Sequence, residues 1–199
     1  MKKIILIGAG GHAESCLDVI LLTKKFKILG FIDKTKNINL LNYKVLGDER
    51  YLEKVSKKKI NLHISLGFIK SPKKRIKIFQ EFKKKFKFPT IISPAAYVSK
   101  NAIILDGTII HHNAIVNFGA QIGQNTIINT SAVVEHGVRI GNNCHISTRV
   151  ILNGEVIVKD NTFIGSGAII KQGVKIGKNC IIGMGKIVSK DVRDNSILR

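Results

Sequence analysis

The sequence predicts two domains in series: an α/β Rossmann-like half-domain over residues 1–90, then a left-handed parallel β-helix of hexapeptide repeats over residues 91–199. Three observations carry this. Every sixth position from Val98 to Val188 is a branched aliphatic residue, at all sixteen positions. Two residues before each lies a small or slim side chain, from Ala96, Ala102 and Thr108 through Cys144 to Cys180, broken only at Lys186. Ahead of these repeats, the glycine turn Gly8-Ala9-Gly10-Gly11-His12 joins an apolar run to an amphipathic stretch.

Taken in order, Lys3 to Ile7 reads as a buried strand, and Ala13 to Thr23 as a helix with its apolar residues on one side. A strand over Ile28 to Asp33, a helix near Asp48 to Ser56, a strand near Leu62 to Gly67 and a basic helix from Pro72 to about Lys85 complete a βαβαβα unit, half of a doubly wound fold. Glycines let backbone approach a phosphate, and the helix N-terminus directs free N–H groups at it. Asp33, ending the second strand, is placed to accept hydrogen bonds from a ribose or sugar hydroxyl. Three strands are too few for both halves of an NAD site, and the sixth motif position is Ala13, so one mononucleotide fits better than a dinucleotide.

A period of six belongs neither to a helix nor to a plain strand, but to a coil of three short strands, each giving one large and one small residue to the centre. Three hexads make one coil, so about five coils stack roughly 4.8 Å apart, with residues eighteen apart in register. Gly123-Gln124-Asn125, Gly141-Asn142-Asn143 and Gly177-Lys178-Asn179 suit corners that need positive φ. Such a prism has little interior room, so function belongs on its corners and contacts.

Composition narrows the function classes. With 199 residues, 44% of them hydrophobic, the chain suits one or two packed domains. No apolar run reaches eighteen residues, and Met1-Lys2-Lys3 leads into only a short strand, so neither membrane insertion nor a signal peptide is expected and the location is read as cytoplasmic. The net charge of +20 includes basic runs at Lys57-Lys58-Lys59, Lys73-Lys74-Arg75 and Lys83-Lys84-Lys85, without a recognition helix or an aromatic ladder. The field therefore points to acidic small molecules rather than nucleic acid. Cys144 and Cys180 fall in the small inward column about 9 to 10 Å apart, beyond disulfide reach, and Cys16 shares a helix face with Val19 and Ile20, so all three read as buried thiols.

Gly8-Ala9-Gly10-Gly11-His12-Ala13-Glu14, Gly30-Phe31-Ile32-Asp33 and the hexads around Asn129-Thr130-Ser131-Ala132-Val133-Val134-Glu135-His136 together resemble the sialic acid O-acetyltransferase and bacterial nucleotide-sugar N-acetyltransferase family, the NeuD/PglD-like family. The resemblance covers nearly the whole chain. It implies a homotrimer that uses acetyl-CoA, no metal, and active sites between neighbouring prisms. It makes His136 the general base, sets His145 beside the thioester, lines the pantetheine channel with Ser166, Gly167 and Met184, and surrounds the acceptor with Gly10, Gly11, His12, Asp33, Lys34 and Gly67. Two departures stand out. Gly137 replaces the acid usual after the catalytic histidine, so Glu135 or a neighbouring chain must compensate, and no Gly-x-Pro-Ala-like ending follows Ile197-Leu198-Arg199.

An amine or hydroxyl attacking a thioester sheds a proton as the tetrahedral centre forms, and imidazole is suited to take it. His136 lies two residues past the inward Val134, on an exposed corner. With the cysteines buried, direct transfer without an acyl-enzyme is expected. The acceptor is read first as a UDP-amino-sugar that is N-acetylated for surface glycan synthesis, then as a sialic-type sugar that is O-acetylated; a sugar-binding or assembly prism with weak catalysis is the alternative class. His145 faces outward nine residues beyond His136, too far around the prism to join it within one chain. His111 and His112 raise a zinc hydratase reading, which the absence of histidine pairs 36 or 5 apart opposes. His63, within a strand, reads as structural.

Overall fold

The computed structural model describes residues 1–35, 39–55 and 59–199. β1 (Lys2–Ile7) lies at the centre of a sheet ordered β3-β4-β2-β1-β5, with β2 (Phe26–Ile32), β3 (Asn39–Leu40), β4 (Tyr43–Gly47) and β5 (Ile60–Ile64). β1 pairs in parallel with β2 and β5, β4 pairs in parallel with β2, and β3 is antiparallel to β4. Alternation splits the sheet's side chains between two cores. Ile4 and Leu6 face α1 (Gly11–Thr23), which brings Ala13, Cys16, Leu17 and Ile20; Ile5 and Ile7 face α2 (Lys73–Phe82), which brings Ile78, Phe79 and Phe82.

Two sequence expectations need correction here. The helix expected near Asp48 to Ser56 is a short 3-10 segment, Glu49–Glu53, capped by the Asp48 carboxylate on the Arg50 amide, and Ser56 falls outside the described residues, as do Lys57 and Lys58. The sheet has five strands rather than three. The additional pair turns at Leu41 and Asn42, both at positive φ as a tight hairpin requires. It can lie against β2 because Gly30 carries no Cβ: one there would come within 2.6 Å of the Lys44 carbonyl.

The hexads form a left-handed parallel β-helix whose three sheets hold six, five and seven strands. Pairing joins residues eighteen apart, as in Ile115, Val133 and Ile151. Val116, Val134, Leu152 and Ile170 fill the centre with Ala114, Ala132, Val150 and Ala168 beside them, all without exposure. The prism begins one strand earlier than the unbroken period and ends one strand later, at Ile91–Ile92 and Ile197–Leu198. In that last coil the spacing shortens to sixteen, Ile181 to Ile197, and Val192 pairs with Ile176.

Outward residues give the three faces different characters. On the docked face, Ile91, Ile109 and Ile127 are buried under α1, and His145 and Phe163 are buried with them. The aliphatic face presents Tyr97, Ile115, Val133, Ile151, Ile169 and Ile187, while the polar face presents Ile103, Gln121, Arg139, Ile157 and Lys175. Where polar and docked faces meet, Asn125, Asn143, Asn161, Asn179 and Asn195 all hold positive φ and pass amide hydrogen bonds down the prism at 2.9 to 3.2 Å. The free end of this ladder, Asn125 Oδ1, accepts from the Arg75 guanidinium at 2.7 Å. The same group donates to the Asn125, Ile64 and Leu66 carbonyls, so one buried side chain of α2 joins sheet to prism.

Candidate active site

The glycine turn closes the carboxyl end of β1, at the point where the chain order reverses between β2 and β5, the usual ligand crevice of an open α/β sheet. Gly8 holds φ 105°, and a Cβ there would collide with Leu66. Ser65 Oγ donates to the Gly8 carbonyl at 2.6 Å, and the Asp33 carboxylate accepts from the amides of Ala9 and Thr35, both at 3.0 Å. Partial burial raises the Asp33 pKa, but those amides and the Lys74 charge outweigh it and hold the carboxyl below its ordinary range. Asp33 therefore fastens the turn and still presents lone pairs to the crevice. Gly10 and Gly11 differ from Gly8: Gly10 has an ordinary φ of −87°, and a Cβ on either would meet nothing within 4 Å. The protein's own packing does not require glycine at these two positions. Lys34 is exposed at the same rim, and Gly67 rests on the His12 ring, 3.3 Å from where its Cβ would be.

Beneath the turn, histidines gather at the domain junction. His12 lies 5.4 Å from His111 and 6.0 Å from His145 between ring centroids. His145 is enclosed by Phe68 and Phe163, and its Nδ1 is 2.8 Å from the Phe68 carbonyl, which can only accept; Nδ1 thus carries the proton and Nε2 accepts from Asn129 Nδ2 at 3.3 Å. Outward from the prism, as the hexad phase requires, His145 is nonetheless covered, because the α/β domain lies on that face. Burial holds all four junction histidines neutral: the pKa falls to about 2 for His12, about 3 for His63, and about 4 for His111 and His145. His112 parts company with His111, bonding to Ser93 Oγ at 2.6 Å and to the Asp18 carboxylate of α1 at 3.0 Å. The two histidines thus do not act as the pair that a hydratase reading requires.

His136 occupies the corner between the aliphatic and polar faces and is exposed. Its ring covers Gly154 one coil away, where a Cβ would stand 2.6 Å from Nε2, so glycine at 154 is what lets the imidazole lie flat on the prism. Neighbouring Glu135 accepts from Asn117 Nδ2 at 2.9 Å. Sequence reasoning passed over Glu155. It stacks on Gly137, its Cγ 3.5 Å from the place of a Cβ, and its amide donates to the His136 carbonyl at 2.9 Å. Its φ of 62° is uncommon for a residue other than glycine or asparagine. Adding one eighteen-residue coil to 137 would have found it.

Ser166, Gly167 and Met184 lie on the other edge of the aliphatic face, where it meets the docked face. Ser166 Oγ is 2.9 Å from Ser147 Oγ, and Met184 is 82% exposed. Within one chain, then, the crevice residues cluster and the pantetheine residues cluster. His136 stands apart from both, across the aliphatic face. Arg75, Phe68 and Asn117 were also missed; each matters through a contact distant in sequence.

Three family models match the chain: the PglD N-terminal domain over residues 3–82, the bacterial transferase hexapeptide (six repeats) over 119–154 and the hexapeptide repeat of succinyl-transferase over 155–190. A search of curated proteins by sequence found no match. Among solved structures, the chain is similar to the acetyltransferase domain of PglB from Neisseria gonorrhoeae in complex with acetyl coenzyme A, at 26% identity over 98% of this chain and 95% of that one, TM-score 0.93. It is similar to PerB from Caulobacter crescentus in complex with CoA and GDP-perosamine, at 28% identity over 99% and 93%, TM-score 0.91. WeeI from Acinetobacter baumannii shares the fold, at 22% identity over 99% and 96%, TM-score 0.87.

Proposed function

We propose that this chain, which belongs to the NeuD/PglD-like family of hexapeptide-repeat acyltransferases by its PglD-type N-terminal domain and its repeats, is an acetyl-CoA-dependent N-acetyltransferase of a nucleotide-linked amino sugar. The observation that carries the acceptor reading is the turn at Gly10 and Gly11, glycines that the fold itself does not need, opening beside Asp33 and Lys34. Backbone N–H groups at the start of α1 suit a diphosphate. The donor reading rests on the similarity to PglB and PerB structures that hold acetyl coenzyme A or CoA.

In this reading the crevice holds the nucleotide and the sugar amine reaches a neighbouring prism. His136 takes the proton released as the amine attacks the thioester carbonyl, and the CoA thiolate leaves. No cysteine is placed for an acyl-enzyme, since Cys16, Cys144 and Cys180 are all buried. Glu135 already accepts from Asn117, and Glu155, stacked on Gly137, is the carboxylate we assign to compensate for the missing acid there. The thioester contact expected of His145 would require the Phe68 loop to move, and we assign His145 to positioning that loop instead.

A homotrimer is the assembly that this reading requires. The aliphatic face exposes Tyr97, Ile115, Ile169 and Ile187, an apolar patch of the kind that marks an interface, and His136 and Ser166-Met184 lie on its two edges. A cyclic assembly that buries this face sets one copy's His136 against the next copy's pantetheine residues. Among the described residues no helix is long and apolar enough to cross a membrane.

The test is release of CoA thiol from acetyl-CoA against UDP- and GDP-linked amino sugars and free sialic acids, with His136→Ala beside the native chain. Turnover with a nucleotide-linked amine, lowered about 10²- to 10⁴-fold in kcat by His136→Ala, is the expected result. Full activity in that variant would remove His136 from the chemistry. Turnover only with a sialic acid would move the reaction to a hydroxyl.

A further inference from the structure

The domain junction contains a cluster, His12, Cys16 and His111, of which only His12 is shared with the expected acceptor site. His12 and Cys16 are four residues apart on α1 and therefore share one helix face, the spacing by which helices commonly offer two ligands to one ion. His111 comes from the prism to meet them. One ligand atom from each lies within 4.8 Å of the others. Cys16 and His111 have no exposed surface. Neither His111 nitrogen has a hydrogen-bond partner, nor does His12 Nε2. A buried imidazole with both nitrogens unpaired is costly and calls for an explanation such as an ion.

We propose that His12, Cys16 and His111 form a structural site for a thiophilic divalent cation, zinc above all, that ties α1 to the prism. Two imidazoles and a thiolate are the donor set that zinc prefers. Tetrahedral zinc holds such atoms about 3.3 to 3.7 Å apart, so the side chains need close by only about an ångström. Binding expels the Cys16 proton to solvent, and the resulting thiolate offsets part of the ion's charge beside the Arg75 guanidinium, whose two terminal nitrogens donate to four oxygen acceptors. The fourth position is left to water or substrate on the partly open side of His12, next to the glycine turn. The site is argued from fold geometry and not from the acetyltransferase reading, with which it shares His12 alone.

The experiment uses the full-length protein, stripped with chelator and then titrated with zinc or cobalt(II) in the absence of any substrate. One equivalent of zinc per chain, a higher unfolding midpoint on loading, and a thiolate-to-cobalt charge-transfer band in the near ultraviolet are expected. Cys16→Ala should abolish the band, and His111→Asn should weaken zinc at least tenfold. His136→Ala should change neither. The cobalt band of the native chain keeps the test decisive should either cluster variant fold poorly. Substoichiometric zinc with no cobalt band, or binding that survives both cluster substitutions, would overturn the site whether or not the protein transfers acetyl groups.

Discussion

In the prism, each inward residue repeats the contacts of the residue eighteen positions away, and each Asn of the corner ladder repeats the hydrogen bonds of its neighbours. In the α/β domain almost nothing repeats: Arg75 and Asp33 each make a set of contacts found once. Redundant contacts spread the effect of a local change along a stack, whereas a singular contact concentrates it. The prism is therefore expected to tolerate perturbation coil by coil, and the domain docked on it to fail as a unit.

Acid should expose this contrast most strongly. His12, His63, His111 and His145 have folded-state pKa values pushed down to between about 2 and about 4, below the ordinary 6.5 that applies once the chain unfolds. In that window the unfolded chain binds more protons, so the stability these histidines contribute is fully present above pH 6.5 and is lost as pH falls below it. Each gives a slope of up to roughly 1.4 kcal/mol per pH unit. In metal-free protein the expected result is steep loss of α/β-domain protection in hydrogen exchange between pH 6.5 and 5, while inward prism amides such as that of Ile146 stay protected. Uniform loss across both regions would erase the distinction.

Arg75→Met is next in size. It removes the donor that satisfies three carbonyls and the terminal Asn125 amide oxygen inside the junction, and should cost about 3–5 kcal/mol. The denaturation midpoint of the α/β domain should fall and cleavage in the Phe68–Pro72 loop should rise. Arg75→Lys should recover only part of this, because one ammonium cannot span acceptors on both domains. An unchanged midpoint would show that the junction is held by its apolar contacts alone.

The same contrast explains what the sequence could disclose. A period of six is written sixteen times, so coil geometry, the inward columns and the exposure of His136 follow from phase alone. The glycine turn and the strands β1, β2 and β5 were legible because each is local. The hairpin from Asn39 to Gly47 was not, since its strands are short and lie on β2 only through the close approach at Gly30. His145 shows the limit within the site: phase predicts that it faces outward, but not that another domain covers that face. Arg75 sits among lysines in a basic run, and nothing in that run marks it as the residue that would be buried.

A smaller effect tests redundancy directly. Asn161 has φ 63° and bonds to Asn143 and Asn179, so Asn161→Ala loses two ladder bonds and places Ala in the left-handed region, about 2–4 kcal/mol together. Asn161→Gly, which accepts that φ freely, should recover part of the loss. Calorimetry of both variants separates backbone strain from the hydrogen bonds. An Ala variant as stable as the native chain would mean that the stack redistributes even that much.

Smallest, and most specific to the proposed chemistry, is Glu155→Gln. The repeat that makes the prism redundant also allows a side chain to move one coil without leaving its column, and Glu155 over Gly137 is such a displacement. A carboxylate there need not touch substrate. It acts through the corner that holds His136, whose carbonyl already accepts from the Glu155 amide. Gln keeps the size and the backbone, so the prism should melt unchanged while kcat falls about three- to tenfold, roughly 0.7–1.4 kcal/mol, with the KM for acetyl-CoA preserved. Moving the acid back, with Gly137→Asp in the Glu155→Gln background, should restore part of the rate despite the strain of Asp at φ 66°. A loss confined to KM, or equal loss of thermal stability, would instead make Glu155 a structural corner residue and return the compensating role to Glu135 or to a neighbouring chain.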